Sequence, residues 1–312
     1  MMNKAGKFFE LFTDRIWTVD TSACPKAYAA LVKHIKVIRI TIDTFTQNRM
    51  GFQCVALSYF VTLAIIPLIT FIFAITGDLG LSEKISELLH RFFANNPEYI
   101  DVLMNKANEL LETAKSGGLG FASALTLIWA VLWMMFQVER VFNNVWGIRK
   151  IPRKVFTRFG FYLLVLVLTP FLILIFGTGI AYYTNITNLI GLDLSDLRFL
   201  PRLLGYTAFY VVSAFTLSVM YKFIPAAKVK YSFALKSAMI TAVFFVIFQY
   251  LYLETQMFVG RLGSVYGVIA AIPLFLVWLN LSWQIIMLGA ELCYGYHNVD
   301  RYKVLEWDSE NK

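Results

Sequence analysis

The chain has 312 residues, of which 58% are hydrophobic and only 15% charged, with a formal net charge of +8 and a mean hydropathy of +0.63. A soluble domain usually carries about 25% charged residues. The deficit falls in several uninterrupted apolar runs, which excludes a soluble globular protein and predicts a polytopic membrane protein, all-α because helices satisfy their own backbone hydrogen bonds in lipid.

Residues 1–53 form the first segment in chain order, predicted to be cytoplasmic. A cleavable signal peptide is not expected, since no short apolar core precedes the first long apolar run. Leu31, Ile35, Ile38, Ile42 and Phe45 recur at spacings of four and three, with Lys33, Lys36 and Arg39 between them. This pattern predicts an amphipathic helix that either lies in the membrane interface or packs on the cytoplasmic ends of the bundle.

Residues 54–292 form a transmembrane domain with six predicted spans: Val55–Ile75, Phe121–Val138, Phe161–Tyr183, Leu203–Tyr221, Ala234–Leu253 and Gly267–Leu288. Each is close to the roughly 20 residues that a hydrocarbon core requires. The extracytoplasmic loop 78–118 predicts a helical hairpin. One arm starts near Ser82 and Glu83, the other runs from Pro97 to about Lys115, and Ser116-Gly117-Gly118 ends it. Residues 293–312 read as a cytoplasmic tail.

Of the Lys and Arg residues, 21 fall in the N-terminal segment, in 140–158, in 222–236 and in the tail, against 7 in the alternate segments. The positive-inside rule places both termini in the cytoplasm. The basic balance then reads as topology and contact with anionic headgroups, and nucleic acid is not expected as a partner.

Polar groups within or at the ends of spans are costly and need a reason. Glu139 and Asn144 stand at the end of the second span, and Glu291 closes the sixth. Asn280 and Gln284 lie one turn apart on the sixth span beside Trp283, and Arg261 sits in the short outer turn before it. Glu139 and Glu291 are either interfacial carboxylates, solvated or paired with Arg, or the lining of an inward vestibule for a cation, a proton or a lipid amine. Asn280 and Gln284 suit helix-to-helix hydrogen bonding slightly better than a substrate path. Arg261 could grip a phosphate or a carboxylate. Pro67 and Pro273 are candidate helix-breaking positions in the first and last spans.

Catalytic signals are absent from the sequence. The three histidines are remote from one another, and no metal-ligand spacing, nucleophile elbow, P-loop or dinucleotide fingerprint occurs. No enzymatic activity, metal or cofactor is expected. Cys24, Cys54 and Cys293 read as free thiols.

Four blocks carry a resemblance. The first is Leu57-Ser58-Tyr59-Phe60 with Ile65-Ile66-Pro67-Leu68, and the second Glu139-Arg140-Val141-Phe142-Asn143-Asn144-Val145-Trp146-Gly147. The third is Tyr221-Lys222-Phe223-Ile224-Pro225. The fourth runs from Ser264-Val265-Tyr266-Gly267 through Pro273 and Trp278 to Leu288-Gly289-Ala290-Glu291-Leu292. Over roughly residues 35–298 the chain resembles the YihY/BrkB family of bacterial inner-membrane proteins, once labelled ribonuclease BN. The resemblance implies a six-helix protein of the bacterial inner membrane with cytoplasmic ends. The residues argue independently against a nuclease, which needs a His and Asp cluster. The expected function is transport or handling of a lipid or small solute without an ATPase of its own. The alternative is a non-transporting scaffold for envelope assembly. Membrane lipids are the expected partners, and homo-oligomerisation stays open.

Overall fold

The computed structural model describes residues 25–77, 97–115, 117–148, 199–260 and 264–300, with residues 17, 86, 87, 89, 90, 158, 160, 162 and 302. The described residues form seven long helices and no strand. These are α1 (Lys26–Gln47), α2 (Met50–Gly77), α3 (Pro97–Lys115), α4 (Gly117–Val145), α5 (Phe199–Phe223), α6 (Tyr231–Gly260) and α7 (Ser264–Asn298). Among the described residues, four stretches are long and apolar enough to cross a membrane: Met50–Thr70, Leu125–Val145, Tyr231–Tyr252 and Pro273–Asn298. Helix α5 covers the predicted span Leu203–Tyr221. The predicted span Phe161–Tyr183 lies outside the described residues apart from Tyr162.

Helix α7 is the hub, touching α1, α2, α4, α5 and α6. Its 35 residues extend over about 52 Å at 1.5 Å per residue, well beyond a hydrocarbon core of about 30 Å. The main core lies where α2, α4, α5, α6 and α7 meet, around Leu57, Phe142, Tyr221, Ala238 and Met287. Each helix turns one stripe inward. On α2, Met50, Cys54, Leu57 and Ala64 are buried at spacings of three, four and seven, while Phe52, Val55, Tyr59 and Leu63 stay exposed as a lipid-facing side would.

Helix α1 divides the apolar stripe expected from Leu31 to Phe45, with Ile35 buried and Phe45 packed on the core while the others face outward. It buries Val32, Ile35, Val37, Ile40, Thr41 and Thr44 and leaves Leu31, Ile38 and Ile42 exposed. The helix carries two apolar stripes, and the one selected is the one that fits α7. Gly295 allows that fit, because a Cβ there would stand 3.1 Å from the Val37 carbonyl oxygen. The buried Thr41 and Thr44 hydroxyls donate back to the carbonyls of Val37 and Ile40, so neither is left unmet.

The hairpin expected over 78–118 is seen in part. Pro97 opens α3 as expected, and Ile100 and Met104 pack with Ile72 of α2 and Leu89. Residues 86, 87, 89 and 90 are helical, whereas Ser82 and Glu83 lie outside the described residues.

Three helices run well past their predicted ends, α6 from Leu253 to Gly260 among them. Helix α4 continues from Val138 to Val145, and α7 from Leu288 to Asn298, because the polar residues there find partners inside the bundle. Helix α4 stops in a Schellman motif. Gly147 takes φ 64° and donates to the Asn144 carbonyl, while Ile148 donates to Asn143 at 3.0 Å. Pro67 and Pro273 do not break their helices. Both lie inside continuous α-helix, since the loss of one backbone bond is tolerated where neighbouring helices hold the segment.

Candidate functional site

The polar residues of α4 and α7 are placed by partners that arrive from other parts of the chain. Glu139 projects from α4 into the core and is 1% exposed. Its Oε2 accepts from Arg158 Nε at 2.7 Å and from the Tyr162 hydroxyl. The Arg158 guanidinium also lies 4.7 Å from the centre of the Phe136 ring, one turn before Glu139 on the same helix face. Glu139 is therefore a buried ion-pair member, with its other oxygen, Oε1, left without a hydrogen-bond partner among the described residues.

One turn further along α4, Asn143 is equally buried. Its side-chain oxygen accepts from the backbone N–H of Ala226 at 2.7 Å, tying the α5–α6 connection to the end of α4. Lys222 holds the other end of that connection by donating to the Val229 carbonyl. Asn144 reaches the α1–α2 turn, where its Nδ2 donates to the Asn48 carbonyl at 3.4 Å.

Asn48 in turn donates from Nδ2 to Glu291 Oε1 at 3.0 Å. The turn that presents it is sharp. Arg49 adopts φ 50°, a left-handed conformation, and Gln53 Nε2 secures the Asn48 carbonyl at 2.7 Å. Glu291 is fully buried, and Oε2 has no hydrogen-bond partner among the described residues. The two carboxylates are thus held differently. Glu139 faces a guanidinium, and Glu291 faces a neutral amide.

The third junction lies between α5, α6 and α7. The Tyr221 hydroxyl donates to the Ile286 carbonyl at 2.9 Å. A Cβ at position 289 would collide with that hydroxyl and with the Thr241 side chain. Glycine at 289 is what lets α7 lie against Tyr221 and Thr241.

Asn280 and Gln284 do come together, but along one helix: Gln284 Nε2 donates to Asn280 Oδ1 at 2.7 Å. Asn280 Nδ2 and the buried Ser282 hydroxyl have no partner among the described residues. The inter-helix bond in this stretch comes instead from Trp278 Nε1 to Gln249 Oε1 at 3.0 Å. Arg261 lies outside the described residues. No cluster of three or more His, Cys, Asp or Glu residues that could hold a metal occurs among the described residues.

Sequence reasoning named Glu139, Asn144 and Glu291 and missed Asn48, Arg158, Tyr162 and the Gly289 junction. Arg158 carried one signal, as the last residue of the basic run after α4. Asn48 carried none, since its role depends on a turn that closes on a residue 243 positions away.

The geometry joins the motif blocks to one another, and a family model described as Virulence factor BrkB matches residues 41–310. The chain belongs to this family. A UPF0761 membrane protein from Vibrio vulnificus strain YJ016 is 30% identical over 268 residues, covering 83% of this chain and 81% of the relative. Another from Aggregatibacter aphrophilus is 28% identical over 250 residues, covering 80% and 87%. One from Pseudomonas paraeruginosa is 31% identical over 267 residues, covering 83% of this chain and 62% of that protein. No solved structure matches. This BrkB-family chain is an integral membrane protein, and its matched region holds every residue of the carboxylate site.

Proposed function

We propose that the protein is a six-span protein of the bacterial inner membrane, with both termini cytoplasmic, that moves or handles a lipid or small solute without an ATPase of its own. The observation that carries this reading is a pair of buried carboxylates on two hydrophobic spans, each with one oxygen left unpartnered among the described residues. Ionisable groups in such positions are costly and mark ion or substrate paths by default. Both lie at the end of the bundle that carries the α1–α2 turn, which the 21-to-7 distribution of Lys and Arg assigns to the cytoplasm. The bacterial relatives support the inner-membrane placement.

In this arrangement both carboxylates are shut from water, so the reading requires a second state in which the polar face of α7 opens inward. Single cysteines at 280 and 284, in a background without other thiols, are expected to react with a membrane-impermeant maleimide added to the cytoplasmic side. Protection of both positions under all conditions would refute an inward path. A scaffold role is the second reading, favoured by the Glu139–Arg158 pair and the Asn143–Ala226 bond, which fasten segments of the chain together. Under that reading Glu291→Gln and Asn280→Ala alter oligomeric state or stability and change no flux.

A further inference from the structure

A groove of about 390 Å³ runs along the outside of the α6–α7 pair. On α6 it is lined by Ile240, Phe244, Ile247 and Leu251, spaced four, three and four residues apart, and on α7 by Ile285 and Leu292. Phe244, Ile247 and Leu251 are each more than half exposed. Its open side faces where the bilayer lies, since both walls belong to apolar spanning segments.

One end of the groove is polar. Lys236 stands one turn before Ile240 on the same stripe of α6, and Tyr296 one turn beyond Leu292 on α7. The Lys236 ammonium lies 4.5 Å from the Tyr296 ring centre and donates to His34 Nε2 at 3.2 Å. His34 Nδ1 donates to the Ala30 carbonyl at 2.6 Å, so the ring accepts from Lys236 as the neutral tautomer. Nearby, Lys33 is neutralised by Asp300 at 3.1 Å. Val37 and Ile40 of α1 close this end by packing with Ile240 and Leu292. Among the described residues the mouth therefore carries one exposed cation without a carboxylate partner, Lys236, with donors to spare above the apolar groove.

We propose that the α6–α7 groove and its Lys236–His34–Tyr296 rim form a binding site for an anionic glycerophospholipid of the adjoining leaflet. One acyl chain lies along Ile240 to Leu251, and the phosphate accepts hydrogen bonds from Lys236. A single positive charge matches a phosphodiester that bears no amine of its own. A zwitterionic lipid would bring a second cation towards Lys236. Basic pockets between spanning helices suit anionic headgroups for this reason. The site stands apart from the carboxylates and does not depend on transport, because a scaffold could hold the same lipid.

The test uses the full chain, purified in mild detergent and delipidated, and titrated in native mass spectrometry with phosphatidylglycerol and phosphatidylcholine of identical acyl chains. Wild-type protein is expected to bind phosphatidylglycerol about fivefold more tightly, the increment for one surface cation. Lys236→Gln should abolish the preference, and Lys236→Arg should keep it. Ile247→Trp or Leu251→Trp, which fill the groove from exposed positions, should weaken both lipids alike. An undiminished preference in Lys236→Gln, or unchanged affinities in both tryptophan variants, would overturn the proposal. So would a lipid-free dimer that dissolves in Ile247→Trp, which would assign the groove to a second copy of the chain.

Discussion

Replacing Gly289 with alanine tests the central helix junction most directly. In an exposed helix the change stabilises by about 1 kcal/mol, because alanine loses less backbone entropy. Here the added methyl meets the Tyr221 hydroxyl and both outer atoms of Thr241, two side chains anchored in the core. Overpacking of this kind costs about 1–3 kcal/mol. Pushing Tyr221 aside also forfeits its bond to the Ile286 carbonyl, worth about 1 kcal/mol. The helical gain is offset, and a net destabilisation of about 1–3 kcal/mol remains. Cys54 and Cys293 are buried free thiols, so a thiol-reactive dye followed through a thermal ramp reads the unfolding once Cys24 is replaced by serine. Gly289→Ala should melt earlier than wild type. Tyr221→Phe with Thr241→Ala should recover much of that loss in the Gly289→Ala background, since together they remove the three atoms in the way. A Gly289→Ala protein that melts at or above the wild-type temperature would refute the close approach.

Glu139→Gln leaves the Arg158 guanidinium, 14% exposed, without its countercharge, and breaking such a buried pair costs about 3–5 kcal/mol. The double variant Glu139→Gln, Arg158→Gln should therefore lose less stability than the two singles summed, and additivity would argue against the pair. Glu291→Gln keeps an acceptor for Asn48 and should leave the melting temperature near wild type. Loss of flux in that variant would mark Glu291 as functional, and retained flux would remove it from the path. His90 Nδ1 faces the Ser86 carbonyl and Nε2 faces Asp101, so both ring nitrogens donate and the charged ring is favoured, raising its pKa above 6.5. This contact is fully present below the unfolded value and is lost as pH rises through the raised folded value. In an NMR titration Asp101→Asn should shift the His90 midpoint downward; an unchanged midpoint would exclude the contact.

The helices were legible because lipid leaves the backbone few options, so apolar run length alone placed α2, α4, α5, α6 and α7. Their ends were not. A carboxylate after an apolar run looks like the edge of the membrane, yet Glu139 and Glu291 stay within helix because Arg158, Tyr162 and Asn48 come to them. Those partners are separated from the carboxylates by intervals with no periodic signature. On α1 two apolar faces compete: Val32, Val37 and Ile40 turn to the bundle, with Gly295 admitting Val37, while Leu31, Ile38 and Ile42 stay exposed, and periodicity alone could not tell which face would be buried. Asn280 and Gln284 sit on one face as their spacing requires, but periodicity could not tell a bond along the helix from one across it.

The blocks that carry the family resemblance are far apart in the chain and mechanically continuous in the fold. Asn143 binds Ala226, just beyond the Tyr221–Pro225 block. Tyr221 reaches the carbonyl of Ile286 and occupies the space that Gly289 leaves. Two residues on, Glu291 accepts from Asn48, whose own carbonyl receives Asn144. The loop returns to α4 where it began, so a displacement of α7 at Glu291 strains the α1–α2 turn, the end of α4 and the α5–α6 connection together. The two buried carboxylates beside this ring are held unequally. Arg158 compensates Glu139 with a full charge, whereas Glu291 is met by the neutral Asn48 amide. Under the proposed function, an arriving cation or ammonium group would compete with Asn48 more readily than with Arg158. The inward opening would then start at the α1–α2 turn, where Arg49 already holds a backbone conformation that relaxes when the turn lets go.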